Sequence, residues 1–325
     1  MERNRRLTDE IMISSLGVGS WALGGSQIYK DITADQAVEA LHYYVSEGGN
    51  FIDTAESYTN AEDVIGRFLK ETTSKHEIVI ATKTHAGGNR GNVSNIEASL
   101  DKSLKRIGRD YVDVYYFHSP PEEDDLMQEA LDTMQMLKKK GKIRAVGGSI
   151  KGVNVTDATV SLCKKYIDTG KMDVIQLVYN MLRQQTNEVF DYAVAHKVAL
   201  IGRTSLETGF LSGKYPVGHR FSEDDHRCRW NATYDMIAEY VEKIRTKYIG
   251  EGLADDALTS LALRFAMYPD AITDTIVGAK NLEQMKETIS IIRKAPLEAR
   301  YFAELEDMFK GKTHLFNTSN GTEKL

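Results

Sequence analysis

Cysteine and proline are scarce in this chain, and each scarcity narrows the reading. Its 325 residues include two cysteines, Cys163 and Cys228, and five prolines. Two thiols build no disulfide framework, so an apolar core must hold the fold, and a reducing cytoplasm is the simplest location. No Pro-, Gly- or Ser-rich linker divides the chain, so one domain over residues 1–310 is expected, with a polar tail over 311–325. No apolar run is long enough to span a bilayer, and Met-Glu-Arg-Asn-Arg-Arg at the N-terminus lacks the apolar stretch of a secretion signal. Positive charge is not in excess either. With 41 Lys and Arg against 47 Asp and Glu, the net charge is −6, which argues against nucleic acid or an anionic membrane as partner. There is no cysteine cluster and no His-x-x-x-His pair, so no metal site is expected.

What the chain does have is a recurring alternation. Short β-branched runs at 14–21, 49–53, 78–83, 112–118, 143–148, 174–178, 198–203 and 274–278 read as strands. Most start roughly 25–35 residues after the one before, the length of a βα unit. Helical spacing fills the gaps, as in Ala37, Val38, Ala40, Leu41, Tyr44 and Val45. Eight strands separated by helices predict an α/β fold, a closed (β/α)8 TIM barrel. An open doubly wound sheet is the rival, but Gly17-Val18-Gly19 is not followed by the glycine pattern of a dinucleotide turn. A short N-terminal hairpin over 5–12 is expected to close the barrel bottom. The link between strands seven and eight is unusually long. Its polar stretch over 213–230 reads equally as a lid or as a solvated insertion.

In such a barrel the strand C-termini gather at one mouth. Asp53, Lys83 and His118 end strands two, three and four, and Tyr58 lies on the loop after Asp53. A free phenol titrates near 10, and a neighbouring ammonium favours its ionised form. Lys83 supplies that ammonium, Asp53 holds it, and His118 offers a hydrogen bond to a substrate oxygen. Tyr58 then serves as general acid to a carbonyl that receives a hydride, which side chains cannot provide and a nicotinamide cofactor would. Each residue alone has an ordinary structural reading; only their joint placement carries the chemistry. A Schiff base on Lys83 is disfavoured, because Asp53 raises the lysine pKa rather than lowering it.

These residues resemble the aldo-keto reductase superfamily. The marks are Gly49-Asn-Phe-Ile-Asp-Thr-Ala-Glu-Ser-Tyr58, Ile80-Ala-Thr-Lys83, the run from Ser103 to His118, Gly141-Lys-Ile-Arg-Ala-Val-Gly-Gly-Ser149, Gln176-Leu-Val-Tyr-Asn180, Gly209-Phe-Leu-Ser-Gly-Lys-Tyr215 and Ile276-Val-Gly-Ala-Lys-Asn281. The resemblance implies an NADP(H)-dependent oxidoreductase that reduces an aldehyde or ketone, with Asp53, Tyr58, Lys83 and His118 as the catalytic tetrad. It implies Ser149 and Gln176 at the nicotinamide carboxamide and Arg203 where relatives often stack an aromatic ring. Ser205, Leu206 and Gly209 fall at the pyrophosphate. Gly278, Ala279, Lys280 and Asn281 fall at the ribose phosphate, and Gln284 and Glu287 at the adenine. Ile150 replaces a commonly found Asn. Trp21, Tyr29, Glu56 and His85 are candidate walls for a hydroxylated or sugar-like carbonyl substrate, or simply packing, and Asn89 lies nearby. The same scaffold also admits a cofactor-binding regulatory subunit with little turnover.

Overall fold

The computed structural model describes residues 1, 5–25, 32–87, 92–150, 155–223, 225, 227–228, 231–249 and 257–311. Two strands come first, β1 (Arg5–Thr8) and β2 (Ile11–Ile13), paired antiparallel. The barrel strands are β3 (Gly17–Gly19), β4 (Phe51–Asp53), β5 (Val79–Thr84), β6 (Val112–His118), β7 (Ile143–Ser149), β8 (Val174–Val178), β9 (Ala199–Arg203) and β10 (Ile272–Gly278). They close in the order β10-β3-β4-β5-β6-β7-β8-β9, all parallel. The helices are α1 (Ala34–Ser46), α2 (Ala61–Glu71), α3 (Ile96–Ile107), α4 (Asp124–Lys139), α5 (Asp157–Asp168), α6 (Phe190–Ala195), α7 (Asn231–Ile244), α8 (Leu258–Ala266), α9 (Leu282–Ile292) and α10 (Ala299–Phe309). The expected (β/α)8 barrel with an N-terminal hairpin is therefore the observed fold. None of the described helices is long and apolar enough to cross a membrane.

Strand one is shorter than the predicted 14–21. Before Gly17 the backbone bonds to side chains instead of a neighbouring strand: the Ser14 N–H donates to Asn50 Oδ1 at 2.7 Å, and Leu16 O accepts from Tyr44 Oη at 2.7 Å. The hairpin ends one residue later than expected, at Ile13, and β10 begins two residues earlier, at Ile272.

Two apolar layers follow from the two-residue period of a strand. Phe51, Val79, Ala81, Val114, Tyr116, Ala145, Val174, Ala199 and Ile201 face inward, and Leu7, Ile11 and Ile13 of the hairpin join them as a plug at the N-terminal end. The alternate residues, such as Ile52, Ile80, Tyr115, Val146, Ile175 and Leu200, pack outward against the helices. Helix starts obey ordinary capping. Thr33 and Gln36 form a capping box on α1, and the Asn281 side chain accepts from the Gln284 N–H on α9 at 3.0 Å. Glu62 of α2 fastens helix to barrel: it accepts from Thr82 Oγ1 and from Arg106 Nε of α3, each at 2.6 Å.

The described part of the link from β9 to β10 is no featureless insertion. Phe210 stacks on Tyr234 of α7 with ring centroids 4.3 Å apart, and Tyr215 and Phe221 pack edge-on beside them. The Arg227 guanidinium lies 4.0 Å from the Phe221 ring centre and donates to Thr208 O. Of the 311–325 tail only Gly311 lies among the described residues.

Candidate active site

Inward parity decides which side chains reach the mouth. Two residues beyond Phe51 on the inner face comes Asp53; beyond Ala81, Lys83; beyond Tyr116, His118. The same step from Ala145 through Gly147 gives Ser149, from Val174 gives Gln176, and from Ile201 gives Arg203. Each inner column thus carries a polar side chain near the mouth (on β8 Val178 follows Gln176), except on β3 and β10. These end in Gly19 and Gly278, and a Cβ built on either would meet nothing closer than 3.9 Å. The result is a polar ring with a bare-backbone gap on one side.

Lys83 is buried to 1% side-chain exposure and paired with the equally buried Asp53. A buried ammonium needs such a partner, because desolvation otherwise costs several kcal/mol. Lys83 Nζ also donates to Thr54 O at 2.8 Å and lies 5.1 Å from the centre of the Tyr58 ring. Asp53 is itself shared: Gln176 Nε2 donates to its Oδ2 at 2.8 Å, and Ser149 Oγ donates to Gln176 Oε1 at 3.1 Å. A continuous chain of polar contacts therefore runs from Lys83 to Ser149 across four strands.

Tyr58 owes its place to two loops that interlock. The Asn60 N–H donates to Gly24 O at 3.3 Å, and a Cβ on Gly24 would fall 2.4 Å from Tyr58 O. Only glycine permits that approach. The Tyr58 ring meets His118 edge-on with centroids 5.9 Å apart, and His85 stacks on the other side of His118 at 4.4 Å. Burial pushes the His118 imidazole down to about 2, and the charges of Lys83, His85 and Arg203 push the same way. His118 is therefore neutral across the physiological range and acts as a hydrogen-bonding group, not as a cation. Its Nδ1 is buried and lacks a hydrogen-bond partner among the described residues. Buried orphans of this kind at a mouth call for a ligand or water.

The other expected residues fall into three groups. Ser205 is buried, and Leu206 and Gly209 line the turn after β9, where Thr204, Glu207 and Thr208 all have positive φ (63°, 45° and 52°). After β10, the Lys280 N–H donates to Gln284 Oε1 at 2.9 Å, Ala279 is buried, and Glu287 is exposed. Burial holds the Lys280 ammonium below its usual value, and Arg227 and Lys214 add to the effect while Asp225 opposes it. Lys280 thus stands near two further cations, of which Arg227 is itself paired with Asp225 at 2.7 Å, and this positive setting fits an anion such as a nucleotide phosphate. Among the proposed substrate walls, Trp21 follows β3 and is half-buried, and His85 stands beside His118. Glu56 is engaged by Thr84 Oγ1 at 3.0 Å, the His85 N–H at 2.7 Å and Ser99 Oγ, which ties it to the β5 exit. Tyr29 and Asn89 lie outside the described residues. Among the described residues no group of His, Cys, Asp and Glu could hold a metal.

Sequence reasoning missed three features. Glu207 is buried with Arg183 and Asn180, at 2.7 Å from Arg183 Nη2 and 2.8 Å from Asn180 Nδ2. Lys214 and Arg227 approach Lys280 from a loop read only as polar. Asp274 sits buried on the inner face of β10, where burial raises its carboxyl well above the usual range. An acidic residue in a polar run carries no local signal of burial; only the register of β10 does.

The Aldo/keto reductase family profile matches residues 15–310. "Aldo-keto reductase YhdN" of Bacillus subtilis (strain 168) is 29% identical over 228 residues, covering 67% of this chain and 66% of that protein. The "NADH-specific methylglyoxal reductase" of Escherichia coli (strain K12) is 25% identical, covering 88% of this chain and 91% of its own. Among solved structures, the holo form of aldo-keto reductase AKR11C1 from Bacillus halodurans superposes with a TM-score of 0.74 at 24% identity, over 94% of this chain and 96% of that one. That last likeness speaks to the fold.

Proposed function

From a chain that belongs to the aldo/keto reductase family, we propose an enzyme that reduces a small aldehyde or ketone to an alcohol, with NADPH as the preferred reductant. The observation that carries this reading is the buried Lys83–Asp53 pair beneath the Tyr58 ring at the strand ends. When bound, a reduced nicotinamide nucleotide supplies hydride to the carbonyl carbon. Tyr58 gives its proton to the carbonyl oxygen, so hydride and proton together complete the alcohol. Lys83 holds its ammonium 5.1 Å from the centre of the Tyr58 ring, where negative charge develops as the proton moves to the substrate. Neutral His118 donates one N–H toward the oxygen as negative charge develops there. Ser149 and Gln176 would hold the carboxamide, a reading supported by their bonds to each other and to Asp53, which fix both side chains at the mouth.

Support for NADPH comes from Lys280, with Lys214 and Arg227 close enough to affect its charge, because the extra phosphate of NADPH suits such a pocket. A relative named as NADH-specific makes this a point to measure. The polar mouth supports a hydroxylated or sugar-like small carbonyl, and two cysteines that are both free support a reducing, cytoplasmic setting. The deciding experiment follows nucleotide oxidation with a panel of small carbonyls, for the wild type and Tyr58→Phe. Turnover should fall by roughly 100- to 10,000-fold in the variant, the usual worth of a general acid, with NADPH affinity kept. NADPH binding without turnover for any carbonyl would favour a regulatory protein, and tighter binding of NADH would reverse the cofactor preference.

A further inference from the structure

Arg203 is the one arginine that ends an inner column of the barrel. Ala199 and Ile201 point into the barrel, and Arg203, two residues on, takes the same face at the mouth. Its strand neighbours are β8, which carries Gln176, and β10, which ends in the bare backbone of Gly278. Nη2 donates to Ile150 O at 3.1 Å, just past Ser149, and Nη1 lies 3.4 Å from Thr204 Oγ1. The guanidinium is thus anchored between the β7 and β9 exits. It lies close enough to Tyr58, Asp53 and His118 to be felt by all three. Ser149 and Gln176 would hold a nicotinamide carboxamide at the neighbouring strand ends, and the guanidinium, bonded to the residue after Ser149, shares that part of the mouth. The mouth also holds Lys83, but Asp53 offsets that ammonium directly.

Reduced and oxidised nicotinamide nucleotides differ at the ring by one positive charge: hydride, with two electrons, leaves for the carbonyl carbon, and the ring that remains is cationic. A guanidinium stays charged at any working pH. Resting on the carbonyl-reductase reading, we propose that Arg203 makes this site discriminate by redox state, holding the neutral reduced nucleotide and repelling the cationic oxidised one. An aromatic residue at this place would attract the oxidised ring through its π face; a guanidinium opposes it. The consequence is that the enzyme fills with the reduced nucleotide from a mixed pool and releases the oxidised product readily. Two like charges sharing one partly buried site shift such an equilibrium by about tenfold or more.

The test is equilibrium titration by protein fluorescence with NADPH and NADP+, or with NADH and NAD+, since the argument concerns only the ring. The wild type should bind the reduced form at least about tenfold tighter. Arg203→Gln should bring the two affinities together by about the same factor, and Arg203→Lys, which keeps the charge, should retain most of the preference. Equal affinities in the wild type would overturn the proposal without any variant, as would an Arg203→Gln protein, folded by circular dichroism, that loses both affinities in proportion. Failure of the wild type to bind either nucleotide would instead bring down the carbonyl-reductase reading beneath it.

Discussion

His118 shows how a residue can be legible in position and illegible in charge. A histidine closing the run Val112–His118 is visible as a strand-end group. Its protonation is not visible, because burial and the charges of Lys83, His85 and Arg203 set it, and β5, the loop after it and β9 bring these three from remote parts of the chain. The imidazole is held at about 2, while the unfolded chain carries it near 6.5. Above pH 6.5 both states are neutral, and the residue does not alter stability. As pH falls below 6.5, only the unfolded chain takes up the proton, so stability drops progressively toward pH 2, by about 1.4 kcal/mol per pH unit. Urea unfolding of the wild type and His118→Asn between pH 4 and 8 should show that slope in the first and a shallower one in the second. Equal slopes would mean that the imidazole is protonated in the folded protein. For the same reason the kcat profile should lack an inflection near 6.5 that vanishes in His118→Asn.

At the scale of elements, the turn after β9 depends most clearly on a distant partner. Residues Thr204, Glu207 and Thr208 hold a left-handed backbone that non-glycine residues adopt at a cost. Arg183 supplies the restraint: its Nε and Nη2 both bond Glu207, and Asn180 donates to the same carboxylate. This pair connects the segment after β8 to the turn that carries Ser205, Leu206 and Gly209. Glu207→Gln would leave the Arg183 charge buried without its carboxylate, a loss of about 3–5 kcal/mol. It should also weaken nucleotide binding, read by urea midpoint and fluorescence titration on the same protein. Loss of stability with unchanged nucleotide affinity would show that the turn does not depend on the pair. None of this was legible, because Thr-Ser-Leu-Glu-Thr-Gly reads as an ordinary polar turn. The strands were legible, because strands buried on both faces read as short continuous β-branched runs. Strand one was overextended, because Ser14 and Leu16 satisfy their backbone through Asn50 and Tyr44, bonds that apolar patterning does not register.

At the scale of the whole molecule, the barrel separates stability from chemistry by its two ends. The repeat of about 25–35 residues made the barrel legible, and the inner-face parity made the mouth legible with it, since both follow from local periodicity. The lower end depends on contacts between remote segments and was anticipated only as a closing hairpin. There Leu7, Ile11 and Ile13 plug the interior. Arg144 joins the plug to the sheet: Nη2 donates to Glu10 O at 2.8 Å and Nη1 to Asp113 Oδ1 at 2.7 Å. Asp113 in turn accepts from the Ile80 N–H at 2.8 Å and stays within 3.4 Å of Arg109 Nη1. Removing Arg144 therefore leaves Asp113 with other donors, and the cost stays moderate. Arg144→Ala should lose about 1–2 kcal/mol, the worth of charge-assisted hydrogen bonds at a partly exposed site. The substitution lies at the opposite end of the barrel from Tyr58, so kcat and nucleotide affinity should be unchanged below the unfolding transition. A drop in kcat without a shift in the urea midpoint would show that the plug acts on the mouth through the sheet, and the division of labour between the two ends would not hold.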